Sequence, residues 1–145
     1  MNPIGTTLPE LEDVKVPVTL KISALWAAVM FCYIYGDFFR LFQTGKLAGM
    51  MAGKIEPLGT ATQGVLLGVA ISMAIPSVMI FLSLALKPRA NRWINIIIGV
   101  IYTVFVLITM PGAWTFYLFL GSLDMLLTAL IVWHVWHWPR VAALV

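Results

Sequence analysis

The sequence predicts an all-α membrane protein built as an antiparallel bundle of four transmembrane helices. The chain has 145 residues, of which 61% are hydrophobic and 10% are charged, whereas about 25% of the residues in a soluble domain are charged. Roughly 20 apolar residues at about 1.5 Å each cross the hydrocarbon core of a bilayer, and four stretches reach this length or approach it. Because the second and third connections are short, consecutive helices are predicted to be antiparallel neighbours in one bundle.

The four predicted spans are enclosed by two tails, and Pro76 lies inside the second span. Proline is tolerated in a membrane helix when a neighbour satisfies the carbonyl that it frees, so we expect a kink at this position. Segment 43–61 contains two lysines, a glutamate and a proline, and is predicted to be an interfacial loop or a short helix. The predicted segments are an N-terminal tail at 1–19, spans at about 20–42, 62–86, 93–110 and 114–138 within a domain covering 20–138, a tight basic turn at Lys87–Arg92 and a C-terminal tail at 139–145.

The positive charges predict that both termini lie in the cytoplasm. Loops on the cytoplasmic side carry an excess of lysine and arginine, and this orientation places six of these residues there against three on the opposite side. We therefore expect a multi-pass protein of the cell's inner (plasma) membrane. Topology accounts for the net charge of +3, so no nucleic-acid partner is expected. The six are Lys15, Lys21, Lys87, Arg89, Arg92 and Arg140, and the three are Arg40, Lys46 and Lys54.

Each span carries small or polar residues at helical spacing, which predicts a polar interior lined by all four helices. Apolar side chains would then face the lipid. The predicted interior residues are Trp26, Met30, Tyr33, Asp37 and Arg40 on the first span, Gly64, Gly68 and Ser72 on the second, Asn95, Gly99, Tyr102, Val106 and Thr109 on the third, and Tyr117, Gly121, Asp124 and Thr128 on the fourth.

Asp124 is the main candidate for a functional residue, because a carboxylate at the middle of a membrane costs about 2.5–3.5 kcal/mol on insertion scales and is functional by default. Two interpretations are open. In one, a cavity binds a small molecule, a cation or a proton, and the desolvated carboxylate takes up a proton. In the other, Asp124 fastens the helices by a hydrogen bond to Thr128, Tyr102 or Tyr33. The predicted lining of the cavity is Asp124, Asp37, Arg40, Tyr33, Tyr102 and Tyr117.

Asp37 and Arg40 also admit a purely structural interpretation, which the spacing favours. They stand at positions i and i+3 close to the end of the first span, where an ion pair forms readily. A long charged side chain near an interface reaches water at little cost. These two residues are therefore predicted either to gate the cavity or simply to pair with each other.

His134 and His137 are weak candidates for a metal or haem site. They are separated by three residues on one helix, a spacing that permits metal ligation. The chain has no third histidine, its single Cys32 lies on another helix, and Asp124 is about 15 Å along the same helix. Interleaved with three tryptophans, the histidines are predicted to anchor the helix at the membrane interface. No metal and no cofactor is expected.

Two segments resemble a family of small bacterial four-helix membrane proteins that has no assigned activity. They are residues 22–39, ISALWAAVMFCYIYGDFF, and residues 63–99, QGVLLGVAISMAIPSVMIFLSLALKPRANRWINIIIG. The most specific parts are the Tyr-Gly-Asp step, the Ile-Pro step and the Arg-Ala-Asn-Arg-Trp stretch, together with the tryptophan-rich end of the fourth span. The resemblance implies a four-helix architecture and says nothing about chemistry.

Three functions remain open at the level of the sequence. The first is binding or transport of a small molecule or proton through the polar interior around Asp124, for which a homodimer packed through Gly64, Gly68 and Ser72 is expected. The second is a structural or accessory subunit of a larger membrane complex. The third, less favoured, is a membrane enzyme or haem protein. Motifs for nucleophilic catalysis, phosphate binding and CxxC redox chemistry are absent, and Asp37 with Asp124 is the only pair of carboxylates offered for catalysis.

Overall fold

A computed structural model describes residues 14–138 and confirms the predicted class, a helical bundle with four helices long and apolar enough to cross a membrane. Helices suit this setting because every backbone polar group in lipid must find a partner within the protein. The elements, in chain order, are α1 (Val18–Arg40), α2 (Lys46–Met51), β1 (Lys54–Ile55), β2 (Gly59–Thr60), α3 (Gln63–Ala85), α4 (Pro88–Thr109) and α5 (Thr115–Trp136).

The four long helices alternate in direction, which gives the bundle two distinct ends. We call the end where α1 and α4 begin and α3 and α5 finish the terminal end, and the opposite end the loop end. Helix α1 packs extensively against α3 and α5, and α4 packs against α5, whereas α3 and α4 make few contacts with each other. The spatial order is therefore α3, α1, α5, α4, so the helices joined by the shortest connection are the least closely packed of the sequential pairs.

The predicted basic turn at Lys87–Arg92 is wrong, because helix α4 begins at Pro88, five residues before the start of the predicted span at Trp93. Proline suits the first position of a helix, where its fixed φ is already helical and its missing amide hydrogen is not needed. The carbonyl of Lys87 accepts a hydrogen bond from the amide of Asn91 at 2.9 Å. The basic residues that follow Pro88 therefore lie on the first turns of α4.

The prediction that Gly64 and Gly68 line the interior is also wrong. Both glycines are exposed on the half of α3 nearest the loop end, and a Cβ atom built on Gly68 would meet nothing within 4 Å. The buried residues of α3 are instead Pro76, Met79 and Ser83. Helical spacing identifies a stripe of small residues, but only packing against a neighbour decides whether that stripe is covered.

The apolar core lies in the half of the bundle nearest the terminal end. Its residues come from the first half of α1 and the last halves of α3 and α5, and all of them are buried. Between this core and the loop end, the interior is polar and aromatic, and this is where the candidate site lies. The core consists of Ile22, Trp26, Val29, Met79, Ile131 and Val135.

Segment 43–61 folds into the short helix α2 and an antiparallel hairpin of two-residue strands, in which Lys54 pairs with Thr60 and Ile55 with Gly59. Lys46 on α2 forms an ion pair with Glu56 in the hairpin turn. The hydrogen bond and the charge of Lys46 lower the pKa of the Glu56 carboxyl from its ordinary value. This pair joins α2 to the hairpin at the loop end.

Candidate functional site

Asp124 lies near the middle of α5 and is 1% exposed. The Tyr33 hydroxyl of α1 donates to its Oδ2 atom at 3.3 Å, whereas its Oδ1 atom is buried and has no hydrogen-bond partner. Within residues 14–138, neither lysine nor arginine forms an ion pair with this carboxylate. Thr128 donates to the main-chain carbonyl of Asp124 at 3.0 Å and forms no hydrogen bond with the carboxylate. One of the two carboxylate oxygens is therefore open to a proton or to another donor.

Tyr102 of α4 completes the surroundings of Asp124 from a third helix. Its ring centroid lies 6.2 Å from that of Tyr33, and its other face meets Trp26 edge-on at 6.3 Å. The Tyr102 hydroxyl does not reach the carboxylate, because it donates to the main-chain carbonyl of Ser72 on α3. Of the predicted lining residues, Tyr33 and Tyr102 therefore gather in the interior with Asp124, and only Tyr33 contacts its carboxylate.

The other three predicted residues form a separate group at the loop end. The Arg40 guanidinium lies 4.0 Å from the Asp37 carboxylate and 5.5 Å from the ring centroid of Tyr117. Asp37 is exposed, with 62% of its side chain accessible, and the Tyr117 hydroxyl bonds to Thr109 at 2.9 Å. Since Arg40 follows Tyr33 by seven residues, this group lies about 10 Å farther along α1 than the Asp124 site.

Asp37 and Asp124 are consequently in unlike surroundings. Asp37 has a cationic partner and faces outward, whereas Asp124 has a phenol as its partner and is enclosed. A general acid and base pair needs both carboxyl groups at one substrate, and the two groups of residues do not provide that arrangement.

A buried amide network on α4 was not among the predicted site residues. The Asn95 Oδ1 atom accepts from Trp26 Nε1 at 2.6 Å and from the Ser83 hydroxyl at 3.3 Å. The Asn95 Nδ2 atom donates to the side-chain oxygen of Asn91 at 2.5 Å, and Asn91 Nδ2 donates to the Ser83 carbonyl at 2.6 Å. These bonds tie α1, α3 and α4 together. The missed signal is the spacing of four between Asn91 and Asn95, which continues the interior stripe into the stretch predicted to be a turn.

His134 and His137 lie at the terminal end of α5 beside Trp133, whose ring centroid is 5.0 Å from each imidazole. The Nδ1 atom of His137 is 3.0 Å from the carbonyl of Trp133. Across residues 14–138, no group of three or more His, Cys, Asp or Glu residues is placed to hold a metal ion. The two histidines therefore have no further ligand from the described part of this chain.

The fold and the site together define a small multi-pass membrane protein with a buried, incompletely paired carboxylate between three helices. Residues 16–143 match the family described as "Family of unknown function (DUF6326)". The chain belongs to that family, which confirms the resemblance to small four-helix proteins without an assigned activity. No curated protein and no solved structure matches the chain.

Proposed function

We propose that the protein takes up a proton at Asp124 and uses this step to move a proton or a small molecule across the membrane. The observation that carries the proposal is the enclosed carboxylate with one oxygen that has no hydrogen-bond partner. Ionisable groups inside membrane helices typically mark relays and substrate paths. A site that only fastened the helices would be expected to pair both oxygens.

The surroundings of Asp124 favour a proton over a larger ligand. A buried charge without an ionic partner costs several kcal/mol, and a proton on the Oδ1 atom removes this charge while adding little volume. A proton on Oδ1 is compatible with the bond at the other oxygen, where the Tyr33 hydroxyl donates to Oδ2. No lysine or arginine of the described range is placed to neutralise the group instead.

We further propose that protons reach Asp124 from the loop end. The apolar core lies in the half of the bundle nearest the terminal end, and the buried amides of that half are bonded to one another and to their neighbours. Tyr117 and Arg40, by contrast, lie between Asp124 and the loop end. Phenol hydroxyls both donate and accept hydrogen bonds, so Tyr33 and Tyr117 are suited to carry a proton inward. Arg40, held by Asp37, would control entry to this route.

Proton movement through the reconstituted protein tests the proposal. A proton gradient, directed outward or inward, would be imposed on proteoliposomes that enclose a pH-sensitive dye. The membrane potential would be held fixed. We expect the wild-type protein to dissipate the gradient and Asp124→Asn to behave like empty liposomes. Glu56→Gln is the matched control, because it removes an exposed carboxylate of the loop-end hairpin that has no part in the proposed route, and it should retain most of the flux. Tyr33→Phe should slow the flux without abolishing it.

Two results would overturn this function. One is equal flux through wild-type protein and Asp124→Asn, which would show that the carboxylate takes no part. The other is the absence of any flux from correctly folded wild-type protein, both alone and with a library of small metabolites supplied on one side. A circular dichroism spectrum typical of helices for every variant ensures that lost flux does not reflect unfolding.

A second candidate is an assembly role, and the loop-end half of α3 favours it. This half contains no buried residue, and the exposed Gly68 leaves room for close approach of another helix. Small residues at such positions let membrane helices pack tightly. If α3 associates with a second copy or with another subunit, Gly68→Leu should disrupt the complex seen by native mass spectrometry, and Leu66→Ala on the same half should leave it intact.

A further inference from the structure

We propose that the groove between α4 and α5 at the terminal end binds an anionic phospholipid, with the acyl chain in the groove and the phosphate on Arg92. This inference concerns the outer surface of α4 and α5 on the side of Asp124 nearer the terminal end, and it does not rest on the function proposed above. Three features carry the proposal: an apolar groove, an arginine at its rim and the distribution of charge at this end of the bundle.

The groove has a volume of about 440 Å³ and is formed almost entirely by apolar atoms. Thr103, which lines the groove, is hydrogen-bonded to the hydroxyl of the buried Thr128 at 2.8 Å. Gly99 lets α4 and α5 approach at this point, since a Cβ atom there would lie 3.1 Å from Val132 Cγ2. Trp136 and His137 form its end nearest the terminal end of the bundle. The groove lies open along the surface between α4 and α5.

Arg92 lies at the rim of this groove. Its guanidinium carbon is 5.4 Å from the ring centroid of Trp136, a groove residue. Its Nε atom is buried without a hydrogen-bond partner, and within residues 14–138 its guanidinium forms no ion pair. A guanidinium is planar and offers a fork of donors that matches the oxygens of a phosphate. Trp136 therefore positions the Arg92 guanidinium at the end of the groove, where it can bind an anion.

The charge at this end of the bundle favours an anion. Arg89 precedes Arg92 by one helical turn, and the first turn of α4 contains no acidic residue. Backbone amides at the start of a helix add further positive potential. The three acidic residues of the described range, Asp37, Glu56 and Asp124, all lie nearer the loop end. Among the described residues, positive charge is therefore concentrated at the end of the bundle where a lipid headgroup would lie.

The continuity between Arg92 and the groove favours a phospholipid over free phosphate. Arg92, Gly99 and Thr103 are separated by seven and four residues, so they follow one face of α4. The first groove residue of α4, Val100, follows Arg92 by about two helical turns, and Trp136 of α5 joins the guanidinium to the groove. A molecule with a negative headgroup and an apolar chain fits both parts, and basic pockets between membrane helices are known to bind such headgroups.

Lipid retention by the full-length protein in a mild non-ionic detergent tests this inference. Native mass spectrometry would compare phosphatidylglycerol with phosphatidylcholine of the same acyl chains. We expect one phosphatidylglycerol to be retained in preference to phosphatidylcholine, and this preference to be lost in Arg92→Gln. Lys87→Gln is the matched control, because Lys87 belongs to the same basic stretch but precedes α4. Ala129→Phe, which fills the groove from its exposed rim, should reduce the retention of both lipids.

Three outcomes would overturn the inference. Equal retention of the two lipids would show that the groove recognises no anion. Unchanged preference in Arg92→Gln would place the anion elsewhere. Thermal stabilisation by inorganic phosphate equal to that by phosphatidylglycerol would indicate a simple phosphate site without a role for the groove. Each variant must first show the wild-type melting temperature in lipid-free detergent, so that lost binding is not lost folding.

Discussion

At the scale of single residues, Pro76 explains the position of Tyr102. Proline has no amide hydrogen, so the carbonyl four residues earlier, that of Ser72, loses its helical partner. The Tyr102 hydroxyl donates to this same carbonyl from α4. An unsatisfied carbonyl in lipid is costly, and the cross-helix bond removes the cost. The sequence shows that a donor is needed, but only the packed helices show which side chain supplies it.

This pairing predicts coupling between the two positions. Tyr102→Phe should lower the free energy of unfolding by about 0.5–1.5 kcal/mol, the usual value of one hydrogen bond. In a Pro76→Ala background, Tyr102→Phe should lower the free energy of unfolding by less. The alanine amide would then donate to the Ser72 carbonyl within the helix. Unfolding in mixed detergent micelles measures both costs. Tyr35→Phe, at an exposed tyrosine, is the control, and equal losses in the two backgrounds would refute the pairing.

Asn95 is the residue on which the amide network depends. Asn95→Leu keeps a similar volume but leaves the Trp26 indole N–H without its acceptor, whereas the Ser83 hydroxyl keeps the Met79 carbonyl. A buried polar group without a partner costs about 1–3 kcal/mol, so we expect destabilisation of that order in the same unfolding measurement. Ser122→Ala removes an exposed hydroxyl that bonds only within its own helix. A loss for Asn95→Leu no larger than for this control would contradict the role of the network.

At the scale of the elements, the contact between α4 and α5 depends on glycine. A Cβ atom at Gly99 would lie 3.1 Å from Val132, and one at Gly121 would lie 3.2 Å from Val106. A larger side chain at either position must push the helices apart. Both helices meet closely here because each glycine leaves room for a valine of the other helix, whereas the glycines of α3 face outward.

This difference between the helices is directly testable. Gly99→Leu should destabilise the monomer by about 1–3 kcal/mol, the usual cost of overpacking. Gly68→Leu should leave the stability of the monomer nearly unchanged, since no atom lies within 4 Å of the added group's first carbon. Thermal unfolding in a detergent that keeps the protein monomeric makes the comparison. Similar losses for both variants would show that the exposed face of α3 is assigned wrongly.

The interior face was predictable for α4 and not for α3, and the reason is physical. On α4, the spacing of Asn95, Gly99, Tyr102 and Val106 marks a stripe that is buried, because polar side chains in lipid must turn toward partners. On α3, glycine makes no such demand, since it carries no side chain to satisfy. A stripe of glycines therefore permits close packing without requiring it. Only the structure shows whether another helix packs against the stripe.

At the scale of the whole molecule, the apolar core and the polar site occupy different halves of the bundle. The core near the terminal end draws on α1, α3 and α5, whereas Asp124 and its tyrosines lie nearer the loop end. Asp124 was predictable as a candidate from its place in the middle of an apolar span, because carboxylates are rare there. The separation of Asp37 and Arg40 from it was not predictable, since spacing along one helix does not fix what faces another.

The orientation of the bundle remains a prediction, with the terminal end in the cytoplasm. It follows from the basic residues Lys87, Arg89 and Arg92 at that end. Single cysteines in a Cys32→Ala background, labelled in intact cells with a membrane-impermeant maleimide, test it. Leu58→Cys, in the turn between the strands, should react from outside. Lys87→Cys should react only after the membrane is opened, and the reverse pattern would invert the topology.

The central claim, that Asp124 binds a proton inside the bundle, is tested most directly by infrared difference spectroscopy of the purified protein during a pH titration. Protonated and ionised carboxyl groups have separate bands, so each state is observed without a reporter. We predict a carboxylic-acid band that appears on acidification, is absent from Asp124→Asn and persists in Asp37→Asn. If the band is the same in wild-type protein and Asp124→Asn, or is lost in Asp37→Asn alone, Asp124 is not the proton-binding group.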